Sequence, residues 1–232
     1  LTDDSGDGTA DEEAIDSQEH GGRVRAVDEE GNVVDDAFAA VVKPTIEPRK
    51  SVLTDTLCRR LRPVEYDRYL PRLLRLFDNF ENDGYWNERW SLEERTRFLL
   101  DAFRLHSDVC VAETEEDVVA IGIGYRLSSE RAHHLRLADF GIEAGDYYNG
   151  LIAIDPPFRG SDIKDHLIAM REAAARSQGA RRVVTRTLVS LHKVIESYEA
   201  RGYVRQSNTI PWFEGGRTSQ RIVLIRSLDA HP

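Results

Sequence analysis

The stretch LIAIDPPFRGSDIKDHLI, residues 151–168, holds the residues best suited to bind an anion. An apolar run ends in a turn, Arg159-Gly160 follows, and a helical pattern begins directly afterwards. The first turn of a helix leaves N–H groups without intrahelical partners, and these favour a phosphate. Phosphate cradles use small neutral residues where the backbone meets the ligand, yet here Asp162 and Lys164 occupy such positions. Other reactive types are scattered. Cys58 and Cys110 lack a nearby histidine pair, and His133-His134 sit in a polar stretch without ligand partners, so no metal site is expected.

These residues need a scaffold, and from about residue 56 the apolar pattern supplies one. LCRRLRP reads as a strand stopped by Pro63, and Leu70, Leu73, Leu74 and Phe77 recur at helical spacing over 65–79. NDGYWNERW is a turn-rich aromatic loop, after which Ser91 and Glu94 form a capping box for a second helix. DVCVAE and DVVAIGIGYRL make a hairpin, in which Gly122 and Gly124 share one face and mark a close approach or a bulge. Residues 128–146 form a long polar stretch, expected to be functional or locally helical. YYNGLIAI is the next strand, and the helix over 162–177 buries Ile163, Leu167, Ile168, Met170 and Ala174. A strand, a helix ending at Gly202 and a closing hairpin complete the chain. The order implies an α+β domain, residues 56–228, with a central mixed, mainly antiparallel sheet flanked by helices.

The chain has 232 residues and a formal net charge of −10, but that charge is localised. Residues 1–50 hold 14 acidic and 5 basic residues, whereas the remainder holds 27 and 26. The first 22 residues lack aromatics and cannot bury enough apolar area to offset their ordering entropy, so 1–50 reads as a disordered acidic extension. Within it, 23–42 has the weak alternation of a hairpin around EEGN. A nearly neutral domain lacks the basic stripe that nucleic acid requires, and no apolar run is long enough to span a bilayer. Two cysteines in strand-like apolar stretches read as buried thiols of a reducing, cytoplasmic setting.

Two segments carry a family resemblance. IAIDPPFRGSDI resembles the strand–turn–helix signature of the GNAT superfamily of acyl-CoA-dependent N-acyltransferases, and VIESYEARGYV resembles its later helix, where a Tyr precedes a Gly–aromatic pair. The element order over 56–228 also matches. The resemblance implies an acyltransferase that takes acetyl-CoA or another acyl-CoA as co-substrate and an amine of a small molecule or peptide as acceptor. It implies a donor site along Ile152, Ala153 and Ile154, continued by Arg159, Gly160, Ser161, Ile163 and Lys164, with Tyr198 protonating the departing thiolate. It also implies that Tyr85, Trp86 and Trp90, with Trp212-Phe213, flank the acceptor; a homodimer interface or ordinary core is the competing use of these aromatics. For the general base Glu113 is adopted, with Asp139, Glu143 and Asp146 as alternatives.

The signature departs from the family's R-x-x-G-x-G/A, since R-G-S-D-I-K stands at 159–164, and Leu191 replaces a common Asn. Either Asp162 takes the place of the anion, or it points outward while Arg159 and Lys164 meet the pyrophosphate, or a different acyl carrier binds. The second is preferred, because the Tyr and the aromatic loops persist. A catalytically silent binding or regulatory module with the same fold is the alternative.

Overall fold

The computed structural model describes residues 24–26, 56–82, 90–105, 107–214 and 217–228. Its centre is an eight-stranded sheet in the order β1-β2-β3-β4-β5-β6-β8-β7. The strands are β1 (Val24–Ala26), β2 (Thr56–Arg60), β3 (Asp108–Glu113), β4 (Val118–Arg126), β5 (Tyr147–Ile154), β6 (Arg182–Leu188), β7 (Val204–Glu214) and β8 (Arg217–Ser227). The helices are α1 (Tyr66–Asn82), α2 (Leu92–Arg104), the short α3 (Ser129–His134), α4 (Ile163–Ser177) and α5 (His192–Glu199). Only β1–β2 and β5–β6 pair parallel, so the sheet is mixed and mainly antiparallel.

The expected elements form for the expected reasons. Ser91 caps α2 reciprocally: its N–H donates to Glu94 Oε2 at 2.7 Å, and its Oγ accepts from the Glu94 N–H. The polar stretch after β4 contains α3, capped by the Ser128 side chain, and a 3₁₀ turn at Ala138–Phe140. The hairpin expected over 23–42 is represented by Val24–Ala26 alone, which pairs parallel with β2; the rest of that span lies outside the described residues.

Each face of the sheet is covered differently. Helices α1 and α2 pack Leu73, Phe77 and Leu99 against Val109, Val111, Ile121 and Ala153. Helix α4 packs Ile163 and Leu167 on the other face, against Cys58, Cys110 and Ala120. Gly122 and Gly124 lie on that second face and make room there. A Cβ at Gly122 would come within 3.1 Å of Arg171 Nε, and one at Gly124 within 2.5 Å of the Tyr147 hydroxyl. The alternating glycines thus mark close side-chain approach. Burial pushes the Cys110 thiol up to about 12 and Cys58 higher still, so both free thiols stay protonated and unreactive.

Candidate functional site

The site begins where β5 and β6 part. Strand β5 pairs with β4 from Tyr147 to Ile154, but with β6 only at Tyr147, Tyr148 and Asn149. Beyond Asn149 and Thr185 no β5–β6 pairing continues, and a bulge falls at the same level, because Ile123 opposes Leu151 while Gly124 opposes Asn149. A bulge bends its strand and interrupts the ladder, which opens a gap beside β5. The Asp155 N–H bonds Val119 C=O on β4, so strand alternation turns the backbone groups of Ile154 and Ile152 toward the gap. Ala153 is fully buried toward α1, with its backbone committed to Ile121.

The strand leads directly into the turn that opens α4. A 3₁₀ turn at Pro156–Phe158 is followed by Arg159, by Gly160 at φ +82°, and by Ser161, whose Oγ donates to Phe158 C=O at 2.7 Å. The first backbone bond of α4 runs from His166 N–H to Asp162 C=O, leaving the amides of residues 160–165 ahead of the helical ladder. Among them, Ile163 N–H reaches Ser161 Oγ at 3.4 Å, and the Ile163 side chain is core. Asp162 is the N-cap residue yet makes no side-chain cap; its carboxylate is 57% exposed and lies 3.9 Å from His166 Nδ1. This is an outward-turned Asp162.

The two basic residues behave differently from the expectation. The Arg159 Nε folds back to donate to Ile154 C=O at 3.2 Å, closing one of the carbonyls beside the gap. Lys164 reaches across to α5, where its ammonium donates to Ser197 Oγ. Burial, then nearby Arg201, lowers its pKa, while Asp165 opposes the shift. Lys164 therefore ties α4 to α5 beside the turn.

Tyr198 sits at the inner end of the gap. Its ring is 5% exposed, packs edge-on against Tyr203 at 4.9 Å, and shares a buried cluster with Tyr147 of β5, against which Ile152 also packs; Thr185 is the last β6 residue paired to β5. Thr185 Oγ1 donates to Asn149 C=O at 2.9 Å. Burial raises the Tyr198 pKa, with Arg171, Thr185 and Arg201 opposing, so the phenol keeps its proton at neutral pH. Leu191 is the N-cap of α5 without a side-chain cap, in keeping with its departure from the family pattern.

Other sequence candidates fall elsewhere. Glu113 is held by Arg59 at 2.7 Å and by the Tyr69 hydroxyl at 2.7 Å, on the α1 face and two strands from β5; the structure does not bring it to the gap. Asp146 is buried in a bidentate pair with Arg182, and Asp139 lies 3.5 Å from Arg136. Trp90 is partly buried and meets Phe98 edge-on at 5.2 Å and Phe77 at 6.5 Å, between α1 and α2. Trp212 belongs to a second cluster, with Arg186 at 4.1 Å and Arg221 at 5.4 Å over its ring. Phe213 pairs by its backbone with Thr218, and Tyr85 and Trp86 lie outside the described residues. Among the described residues no group of acidic, His and Cys side chains is arranged to hold a metal, and no helix is long and apolar enough to cross a membrane.

Sequence reasoning missed Asn149, Thr185 and Arg171, which surround the point of divergence. Periodicity offers no signal for a polar residue on a buried face.

The parted strands, the bulge and the turn opening α4 define an acyltransferase-type fold. The model of the acetyltransferase (GNAT) family matches residues 71–203, and the chain belongs to that family. Solved structures share the fold at low identity. One is yncA, a putative acetyltransferase from Salmonella typhimurium with its cofactor acetyl-CoA: 14% identity, TM-score 0.53, covering 76% of this chain and 95% of that one. Another is the ribosomal-protein-alanine N-acetyltransferase from Brucella melitensis, with 20% identity, TM-score 0.54 and coverage of 74% and 99%. The Drosophila melanogaster polyamine N-acetyltransferase is similar at 14% identity and TM-score 0.54, covering 75% of this chain and 100% of that one. No curated protein matches the chain.

Proposed function

We propose that this protein is an N-acyltransferase that moves an acyl group, acetyl in the first instance, from acyl-CoA to an amine of a small molecule or peptide. The observation that carries the reading is a continuous path. It would run from the amides ahead of the α4 ladder, along the gap-facing backbone of Ile152, to Tyr198, which shares a buried cluster with Tyr147 of β5 near where β5 and β6 part. The residues fit the donor along that path. Amides 160–165 suit a pyrophosphate, and the Ile152 backbone pairs with an amide-bearing arm as an added strand would.

Acyl-CoA supplies an activated thioester, so the chain needs only to orient it and manage protons. The opened strands hold the thioester beside the bulge, on the side reached by the α4 turn. Tyr198, kept protonated, delivers its proton to the sulfur as the carbon–sulfur bond breaks. The amine enters from the opposite face, toward Trp212 and Tyr148, and attacks directly with no covalent enzyme intermediate. Calorimetry with a panel of acyl-CoAs, followed by assay of CoA release against a panel of amines, tests the reading. Binding with turnover of one amine supports it, and failure to bind any acyl-CoA defeats it.

A second reading is favoured by one observation: a carboxylate stands at the N-cap of α4, where an anion would otherwise sit. On that reading the protein is a silent module. The two readings diverge at Asp162. With the side chain exposed and turned toward His166, Asp162→Gly should strengthen acyl-CoA binding by about 3- to 10-fold at low salt and less at high salt. Lys164→Ala should weaken binding, again more at low salt. If Asp162→Gly converts a protein that binds no acyl-CoA into one that does, the silent reading holds for the native chain.

A further inference from the structure

Helix α4 buries a charged pair, Arg171 and Glu172, in the middle of its inward face. Their surroundings differ sharply. Glu172 is compensated: it accepts from the Tyr203 hydroxyl at 2.9 Å and pairs with Arg226 at 2.6 Å and Arg201 at 3.8 Å. Arg171 is fully buried with no carboxylate paired to it among the described residues. Its Nε donates to Leu167 C=O at 2.9 Å, and its Nη1 donates to Leu151 C=O at 2.9 Å and Ile123 C=O at 3.2 Å. Its Nη2 is buried and has no hydrogen-bond partner.

This is an expensive arrangement for packing alone. A buried ion can often be replaced by an apolar side chain of similar size at no loss of stability. Gly122 is needed merely to admit the guanidinium, since a Cβ there would crowd Nε. Yet the position is specific. Ile123 and Leu151 are the paired residues bordering the β5 bulge, so Nη1 spans the two carbonyls where the ladder breaks. Asn149, at the same level, leaves its buried Oδ1 without a partner while Nδ2 donates to Tyr203. An unpaired cationic donor therefore lies at the inner end of the donor path, on the face that carries Tyr198.

We propose that Arg171 is a positioning residue of the donor site, which pins the β5 bulge by its carbonyls and sets a fixed positive charge beside Tyr198 where the thiolate departs. The inference rests on the acyltransferase reading above. During transfer the amine nitrogen forms a bond to the acyl carbon, the carbon–sulfur bond breaks, and its electron pair goes to sulfur. Tyr198 gives the proton that neutralises the sulfur, and the proton lost by the amine restores the phenol through solvent. Arg171 exchanges no proton. Its charge favours every state in which the sulfur or the Tyr198 oxygen is negative. The other titratable groups facing Arg171 are Glu172 on α4, Cys110 on β3, Tyr147 on β5, and Tyr198 and Tyr203 around α5. Glu172 already has its arginines, and burial holds Cys110 and the three tyrosines in their neutral forms.

Product binding tests this without an identified amine. Calorimetry would compare CoA with desulfo-CoA, which lacks the sulfur, at pH 7 and pH 9, on the native protein, Arg171→Met and Arg171→Lys. A site that favours thiolate should prefer CoA over desulfo-CoA by about sixfold more at pH 9 than at pH 7, for a thiol pKa lowered by about one unit from about 8.5. Arg171→Met should abolish that pH-dependent preference while still binding desulfo-CoA, and Arg171→Lys should retain part of it. A purely structural Arg171 would lower both affinities together at both pH values. The proposal is overturned if the native protein shows no pH-dependent preference for the sulfur, if Arg171→Met keeps it, or if neither variant folds to bind desulfo-CoA. Absence of binding by either ligand to the native protein overturns the acyltransferase reading itself, and this proposal with it.

Discussion

Tyr198→Phe is expected to lower kcat by about 10²–10⁴-fold while leaving acyl-CoA affinity nearly unchanged. The substitution removes one oxygen from a ring that is 5% exposed and keeps the edge-on contact with Tyr203. The ring stays in its buried cluster with Tyr147 and Ile152, so the proton donor alone is lost. Burial raises the Tyr198 pKa above its ordinary value of 10.0, so the acid form is present throughout the neutral range. The kcat profile of the native protein should accordingly show no loss from this group as pH rises through 7 to 9. Steady-state kinetics with the amine found by screening, alongside calorimetry of both proteins, checks this. Equal kcat in Tyr198→Phe would make the residue a packing element only.

Glu172→Ala is expected to cost about 3–5 kcal/mol of folding stability, the usual consequence of removing one partner from a buried ionic network. Three groups lose their acceptor together: the Tyr203 hydroxyl and the Arg226 and Arg201 guanidiniums. For a domain of this size the corresponding fall in Tm is about 6–20 °C. Glu172→Gln should cost less, because an amide oxygen still accepts from Tyr203. Chemical and thermal unfolding followed by circular dichroism would measure both, and a loss below about 1 kcal/mol for Glu172→Ala would show that the network is not structural. Arg171 makes a telling contrast. It is as deeply buried on the same helix, but its partners are backbone carbonyls.

Much of the scaffold was legible from residue order. Leu70, Leu73, Leu74 and Phe77 mark α1 by spacing, Ser91 and Glu94 mark the start of α2, and Gly202 follows the end of α5. Such signals are local: a helical stripe, a cap and a stop each depend on residues within a few positions of one another. The turn opening α4 was legible for the same reason, since strand, turn and helix terminus are contiguous between Leu151 and Ile168. The contrast of an outward Asp162 with an inward Lys164 was half visible. Nothing local indicates that Lys164 will find Ser197 on another helix rather than an anion.

What the sequence by itself determined is the order of elements and the residues that can open a helix to a phosphate. Tertiary structure alone decided which polar side chains meet. Glu113 ends its strand as a free carboxylate would, but packing places Arg59 and Tyr69 against it and removes it from the gap. Trp90 reads equally as part of a recognition loop or as core, and only packing shows it lying edge-on to Phe98 and tilted to Phe77 between the helices. Arg171 carries no signal in the apolar pattern, yet it is fully buried, where the bulge beside Gly150 leaves two carbonyls that its long side chain reaches. Hydrophobic periodicity records where apolar residues avoid water; it carries no signal for a charge that satisfies broken backbone bonds from a distant segment. The pairing of β5 with β6 across more than thirty intervening residues creates that requirement, and it exists only once the sheet has formed.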